Sequence, residues 1–479
     1  NWDAAISSPS SPASSAPASS LPGSNASSIP QPPETQPPQQ VLTGDTGLQS
    51  SQGFDGYQLT DHIPLPFERE LNALLAPLSQ TNAVPSAQGL SASPSGSDFY
   101  FLNQAFPQAG RTSAVGQHSG HPGQPLPGLG SSPFTSAHPA FDVNAIRRDF
   151  PILSETVNGR PLIWFDNAAT TQKPKSVIER LTYFYEHENS NIHRAAHELA
   201  ARATDAYEGA RQKVARFLGA STPEDIIFTR GATEAINLVA GTFGQQHVGP
   251  GDEIVISNLE HHANVVPWQL LCLAKGAKLR VAPVDDTGAL LLEEYAKLLN
   301  SRTKIVAFTQ VSNALGTITP AKLMTEMAHR VGARVLVDGA QSVSHMKVDV
   351  QDIGTDFFVF SGHKLFGPTG IGALYAKKEL MDTLPPYQSG GNMIRDVRYE
   401  RTEIHGSPQR FEAGTGNIAD AVGLGAAIDY VERIGIDNIG RYEHGLLEYA
   451  THRLLEIPNL RIIGTAPEKA SVISLVIKG

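Results

Sequence analysis

Apolar positions along this chain follow two regimes. From Phe141 onward, short continuous apolar runs alternate with segments of helical spacing. Asp225-Ile226-Ile227-Phe228 leads into a helix beginning near Thr233, and Glu253-Ile254-Val255-Ile256 into a loop and a helix around Trp268 to Ala274. Lys304-Ile305-Val306-Ala307-Phe308 leads into a loop and a helix from about Ala321. Arg334-Val335-Leu336-Val337 and Asp356-Phe357-Phe358-Val359-Phe360 are two more such runs. Runs that are apolar throughout are covered on both faces. Alternating with helices, they predict an α/β fold with a mostly parallel sheet. Ligands of such sheets bind beyond the carboxyl ends of the strands, so the residues after each run are the ones to inspect.

Before Phe141 the pattern is lost. Residues 1–140 are dominated by Ser, Pro, Gly, Ala and Gln. A segment this poor in apolar residues cannot offset its ordering entropy by burial, which predicts a disordered arm. Two islands interrupt it. Phe67, Leu71, Leu74, Leu75 and Leu78 recur at helical spacing, and Asp98-Phe99-Tyr100-Phe101-Leu102-Asn103-Gln104-Ala105-Phe106 is an aromatic cluster. Such islands dock onto a partner groove, pack on the chain's own globular part, or do nothing.

The arm carries eight acidic residues against two basic ones, so net −6 of the chain's −10. That balance argues against nucleic-acid or membrane-surface partners. No apolar run reaches the roughly 18 residues of a spanning helix, and no signal-peptide pattern is visible. A single cysteine, Cys272, excludes an internal disulfide and fits a reducing cytoplasm.

The run at Phe357 ends in Ser361-Gly362-His363-Lys364, and a lysine held there among small residues suits a Schiff base. Val335-Leu336-Val337 ends in Asp338-Gly339-Ala340-Gln341, where an aspartate can pair with a pyridinium nitrogen. Together they suggest pyridoxal phosphate (PLP). Gly231 and Thr233, after Ile227, form either a phosphate cradle or an ordinary helix cap. Of Glu260-His261-His262-Ala263-Asn264, His261 stacks on a flat ring or is structural. No ligand spacing nearby resembles a metal site. Asn313 is a donor to a ring hydroxyl or substrate, or a turn asparagine.

Arg230-Gly231-Ala232-Thr233-Glu234-Ala235-Ile236-Asn237, Glu260-His261-His262-Ala263-Asn264, Val335 to Gln341 and Ser361 to Lys364 resemble the SufS-like, group II cysteine desulfurases. The likeness runs from about Phe141 to Gly479. These are fold-type I, class V aminotransferase-like enzymes, so the resemblance implies a PLP-binding large domain over 141–395. It also implies the start of a small C-terminal α+β domain over 396–479.

In that family Lys364 would bind the PLP aldehyde and later move the Cα proton, and Asp338 would pair with the ring nitrogen. Gln341 would bond the ring hydroxyl, and His261 would stack on the ring and, with Lys364, serve as a catalytic residue that handles protons. Thr233, Ser361 and His363 would hold the phosphate. Thr415 would reach the phosphate of a neighbouring subunit, making a homodimer. Asn313, His193 and Arg194 would face the substrate, and Gly390 to Ile394 would belong to a hairpin edging the neighbour's site.

The implied reaction takes L-cysteine to L-alanine, with sulfur passed as an enzyme persulfide to an acceptor protein. Selenocysteine lyase, another class V lyase or transaminase, and a catalytically silent cargo or scaffold protein are the alternatives. Iron–sulfur cluster assembly, selenium recycling and sulfur storage are all compatible uses.

The chain departs from the family twice. Cys272 lies on an apolar helix and reads as structural. The nucleophilic cysteine and a carboxylate-binding arginine are expected beyond Gly479, since the sequence starts at Asn1 and stops in a strand-like run. The long arm resembles those of cysteine desulfurases packaged in encapsulin shells. It implies a cytoplasmic protein with a protein nanocompartment as its destination.

Overall fold

A computed structural model describes residues 141–193 and 197–478. The two apolar islands of the arm lie outside the described residues.

Seven strands form the central sheet: β1 Ile226–Thr229, β2 Glu253–Ser257, β3 Lys278–Ala282, β4 Thr303–Thr309, β5 Arg334–Asp338, β6 Phe357–Ser361 and β7 Gly372–Ala376. Their spatial order is β1-β7-β6-β5-β4-β2-β3. β3, β2, β4, β5 and β6 run parallel, and β7 is antiparallel to both its neighbours. All five predicted strands are present. β3 and β7 lacked a sequence signal, for different reasons. β3 is an edge strand with mostly solvated side chains, and β7 follows a glycine-rich turn.

Side chains alternate across a strand, so each apolar run feeds two cores. Val255, Val306, Phe308, Val335, Val337, Phe358 and Phe360 enter one. Ile254, Ile256, Ile305, Ala307, Leu336, Phe357 and Val359 enter the other. This double burial is why the runs are continuous. On the first face lie α1 Lys175–His187, α2 Glu198–Leu218, α5 Ala321–Arg330 and α6 Ile418–Ile434. α6 packs on both α1 and α2. α3 Ala232–Val239 and α4 Val266–Lys275 cover the second face.

Two antiparallel hairpins lie outside this sheet, β8 Ile394–Arg398 with β9 Arg401–Ile404, and β10 Leu460–Ile463 with β11 Ser474–Ile477. The stretch Gly390 to Ile394 is therefore the lead-in to the β8–β9 hairpin. Gly339, just past β5, has no room for a side chain, since a Cβ there would lie 1.9 Å from the Phe358 ring. That close approach seats Asp338 at the sheet rim.

Candidate active site

The carboxyl ends of β1, β2, β4, β5 and β6 open into one cavity of about 510 Å³. Thr233, His261, Asn313, Asp338, Gln341, Ser361, His363 and Lys364 all line it.

Lys364 sits on a short 3-10 turn, Gly362–Lys364, at the end of β6. Burial lowers its pKa, opposed by the Asp338 charge. The preceding residue is anchored firmly. The His363 carbonyl accepts from Thr171 N (3.0 Å), Thr171 Oγ1 (2.9 Å) and Lys173 Nζ (3.2 Å). His363 Nδ1 contacts Thr170 Oγ1 at 3.2 Å. Burial and the Lys364 and Lys173 charges lower the His363 pKa, and burial brings Lys173 down to about 8.

Asp338 is buried, and its Oδ1 accepts from Ala340 N at 2.9 Å. Burial pushes its pKa up, while the Ala340 N–H, Lys364 and His261 pull it down. Gln341 is also buried and donates through Nε2 to the Ala168 carbonyl at 2.8 Å.

Gly231 caps α3 at φ 155°, ψ 179°, a conformation essentially confined to glycine. Ser361 Oγ accepts from Ala232 N at 2.9 Å. The first-turn N–H groups of a helix have no carbonyl partner within it, and Thr233 stands in that turn. The cap is thus Gly231 and not Thr233, which frees the threonine hydroxyl for a ligand.

His261 is exposed to the cavity, and its Nδ1 accepts from Ala263 N at 3.2 Å. The neutral ring therefore carries its proton on Nε2. Burial and the Lys364 charge lower its pKa. Behind it, Glu260 takes hydrogen bonds at one end of its carboxyl from Thr309 N (3.0 Å) and Ser257 Oγ (2.5 Å). The other end accepts from Asn264 Nδ2 at 2.6 Å. Desolvation pushes Glu260 up to about 8, against the pull of those donors.

Two expected residues stand elsewhere. Thr415 and His193 line a separate cavity of about 590 Å³ together with Asn392 and His405. His193 bonds Glu208 Oε1 at 2.9 Å, and its pKa is raised chiefly by that contact. Arg194 lies outside the described residues. Cys272 is buried in α4, and desolvation pushes its thiol up to about 11. Among the described residues, no three His, Cys, Asp or Glu side chains group as a metal site. No described helix is long and apolar enough to cross a membrane.

Sequence reasoning missed two supports. Thr170, Thr171 and Lys173 act on a residue some 190 positions away, so they leave no local signal. Glu260 and Asn264 did carry one. An acid and an amide four residues apart on an arch after a buried strand can bond each other, and they do.

The aminotransferase class-V family model matches residues 163–479. The chain belongs to the class-V aminotransferase family. Among curated relatives of this class-V chain, a cysteine desulfurase of Synechococcus elongatus is 61% identical over 82% of this chain and 64% of its own length. A probable cysteine desulfurase of Mycobacterium leprae is 64% identical over 71% of this chain and 56% of its own length. The chain thus spans somewhat more than half the length of these relatives. Among solved structures, the apo cysteine desulfurase of Thermococcus onnurineus NA1 aligns with a TM-score of 0.68 at 39% identity. That alignment covers 71% of this chain and 84% of the other.

Proposed function

We propose that this class-V chain carries a PLP-dependent cysteine desulfurase of the SufS-like group, converting L-cysteine to L-alanine and passing the sulfur on as a persulfide. One observation carries the proposal: five strand ends deliver an amine, a carboxyl, an amide, an imidazole and hydroxyls to a single cavity. The named relatives are cysteine desulfurases.

The donor set fits PLP group by group. Lys364 suits the aldehyde, Asp338 the ring nitrogen, Gln341 the ring hydroxyl and His261 the ring face. Thr233, Ser361 and His363 suit the phosphate beside the α3 N-terminus. The volume also lies within the range of small-molecule sites.

When bound, PLP supplies an electron sink for the pair left at Cα by proton loss. The protein's own residues do the rest. Lys364, its charge disfavoured by burial, would hold the cofactor and then move the Cα proton. Asp338 would keep the ring nitrogen protonated, and the Nε2–H of His261 would face the ring or the departing sulfur. Asn313, with His193 and Arg194, would contact the substrate. Thr415 and the lead-in to the β8–β9 hairpin would serve a second copy's site in a homodimer. Cys272 is not the nucleophile, because it lies outside the cavity with a raised pKa. A thiolate on another cysteine would attack the substrate sulfur, breaking its bond to Cβ with the bonding pair left on carbon, and the persulfide so formed would hand its outer sulfur to an acceptor protein.

The PLP-loaded protein is expected to release alanine from L-cysteine. A folded, loaded protein that neither forms alanine nor exchanges the Cα proton of L-cysteine in D2O would overturn the assignment.

Residues 1–140 are proposed to target the enzyme to an encapsulin shell. The Synechococcus match covers more of the chain than residues 141–479 can supply, so part of the arm is shared with that relative. Removing residues 1–140 should abolish loading when shell and enzyme are co-expressed. Unimpaired loading of the truncated enzyme would sink the targeting role.

A further inference from the structure

Glu260 and Asn264 belong to the stretch that carries His261, yet the proposed chemistry gives them no part. β2 and β4 are neighbours in the sheet, and their pairing ends at Ile256 and Ala307. Beyond that point the Thr309 N–H turns to the Glu260 carboxyl at 3.0 Å. The same oxygen meets Ser257 Oγ, at the end of β2. The carboxyl thus continues the ladder where the backbone has left it.

Its other oxygen accepts from Asn264 Nδ2, and Asn264 Oδ1 accepts from Trp268 Nε1 at 2.9 Å. Asn264 and Trp268 are fully buried, and Trp268 stands in α4. One hydrogen-bonded line therefore runs from β4 through Glu260 and Asn264 to α4. His261 sits on the arch this line spans. Its carbonyl accepts from Asn264 N at 2.8 Å, and its Nδ1 from Ala263 N.

We propose that Glu260 is a positioning residue for His261, its carboxyl clamping the arch to β2, β4 and α4 so that the imidazole is held at one place over the cavity. The proposal rests on the cavity being a PLP site. Two acceptor oxygens facing two fixed donors is a pattern that only a carboxyl satisfies in full. Glutamine of the same size leaves either the Thr309 N–H or the Asn264 amide facing another donor. Turning Asn264 over to compensate would take its oxygen away from Trp268. Glu260→Gln combined with Asn264→Asp restores every donor and acceptor, because the new carboxylate accepts from both the glutamine amide and Trp268.

The test uses the full chain loaded with PLP. Its readouts are PLP affinity, the induced circular dichroism of the bound cofactor, and Cα-proton exchange of L-alanine in D2O at saturating alanine. Glu260→Gln should bind PLP within about threefold of wild type, lose at least about half the induced dichroism, and exchange about 10–100-fold more slowly, as expected of a displaced catalytic group. The double substitution should recover the dichroism and most of the rate. Wild-type dichroism and exchange in Glu260→Gln would overturn the proposal. So would a double variant that regains thermal stability while its dichroism and rate stay low, since that marks a merely structural role. Wild-type protein that binds no PLP would instead remove the cofactor assignment itself.

Discussion

Lys364→Ala is expected to leave the protein folded and to abolish both the visible absorbance of lysine-bound PLP and alanine formation from L-cysteine. The loss of rate should reach about three orders of magnitude or more, because one amine serves as both cofactor anchor and proton carrier. Folding should survive because Lys364 makes no salt bridge among the described residues and its charge is already disfavoured by burial. Removing such a charge does not strand a buried partner at the cost seen for a tight pair. The control is Lys173→Ala. Lys173 also has a depressed pKa, but its Nζ bonds the carbonyls of Thr171 and His363 and does not line the cavity. That variant should keep the absorbance band. Absorption spectra of the two purified, reconstituted variants decide the matter. A surviving band in Lys364→Ala, or its loss in Lys173→Ala alone, would reverse the assignment.

Much of this site could be read from the sequence because the fold makes it local. β1, β2, β4, β5 and β6 are largely buried runs of four to seven residues, and each ends beside a residue that lines the cavity. Asp338 and Lys364 therefore announce themselves by position. What the sequence hid was either non-local or conditional. Gln341 was legible, but its anchor on Ala168 was not, because the partner is 173 residues away. Thr415 and His193 are far from Lys364 in sequence, and in a single chain they line another cavity. The antiparallel β7 was missed because its Gly-Ala-Leu-Tyr-Ala run emerges from a glycine-rich turn and its pairing with β1 and β6 is set by tertiary contacts. Local pattern is a weak guide when the sheet decides the strand.

The second large effect concerns stability. Arg211 and Glu412 form a bidentate pair at 2.7 and 2.9 Å, with side chains 1% and 6% exposed. Burial disfavours the Arg211 charge, but Glu412 outweighs it and holds the guanidinium above its ordinary pKa. Glu412 also accepts from Phe228 N in β1 (2.8 Å) and Tyr207 OH (3.2 Å), and its carbonyl accepts from Asn392 Nδ2. Arg211 bonds Glu208, which bonds His193.

Arg211→Met would strand a buried carboxylate, and breaking such a pair costs about 3–5 kcal/mol. Arg211→Met with Glu412→Gln should recover a good part of that loss, because no uncompensated charge remains. Urea denaturation of the single and double variants measures both. A loss below about 1 kcal/mol in Arg211→Met, the range of surface pairs, would mean that water reaches the carboxylate. The same network fixes the segment leading to Thr415 and the Asn392 turn against α2 and β1. Under the homodimer proposal, the single variant should therefore also weaken PLP binding in the neighbouring copy, although Arg211 lines neither the PLP cavity nor the one that holds Thr415 and His193.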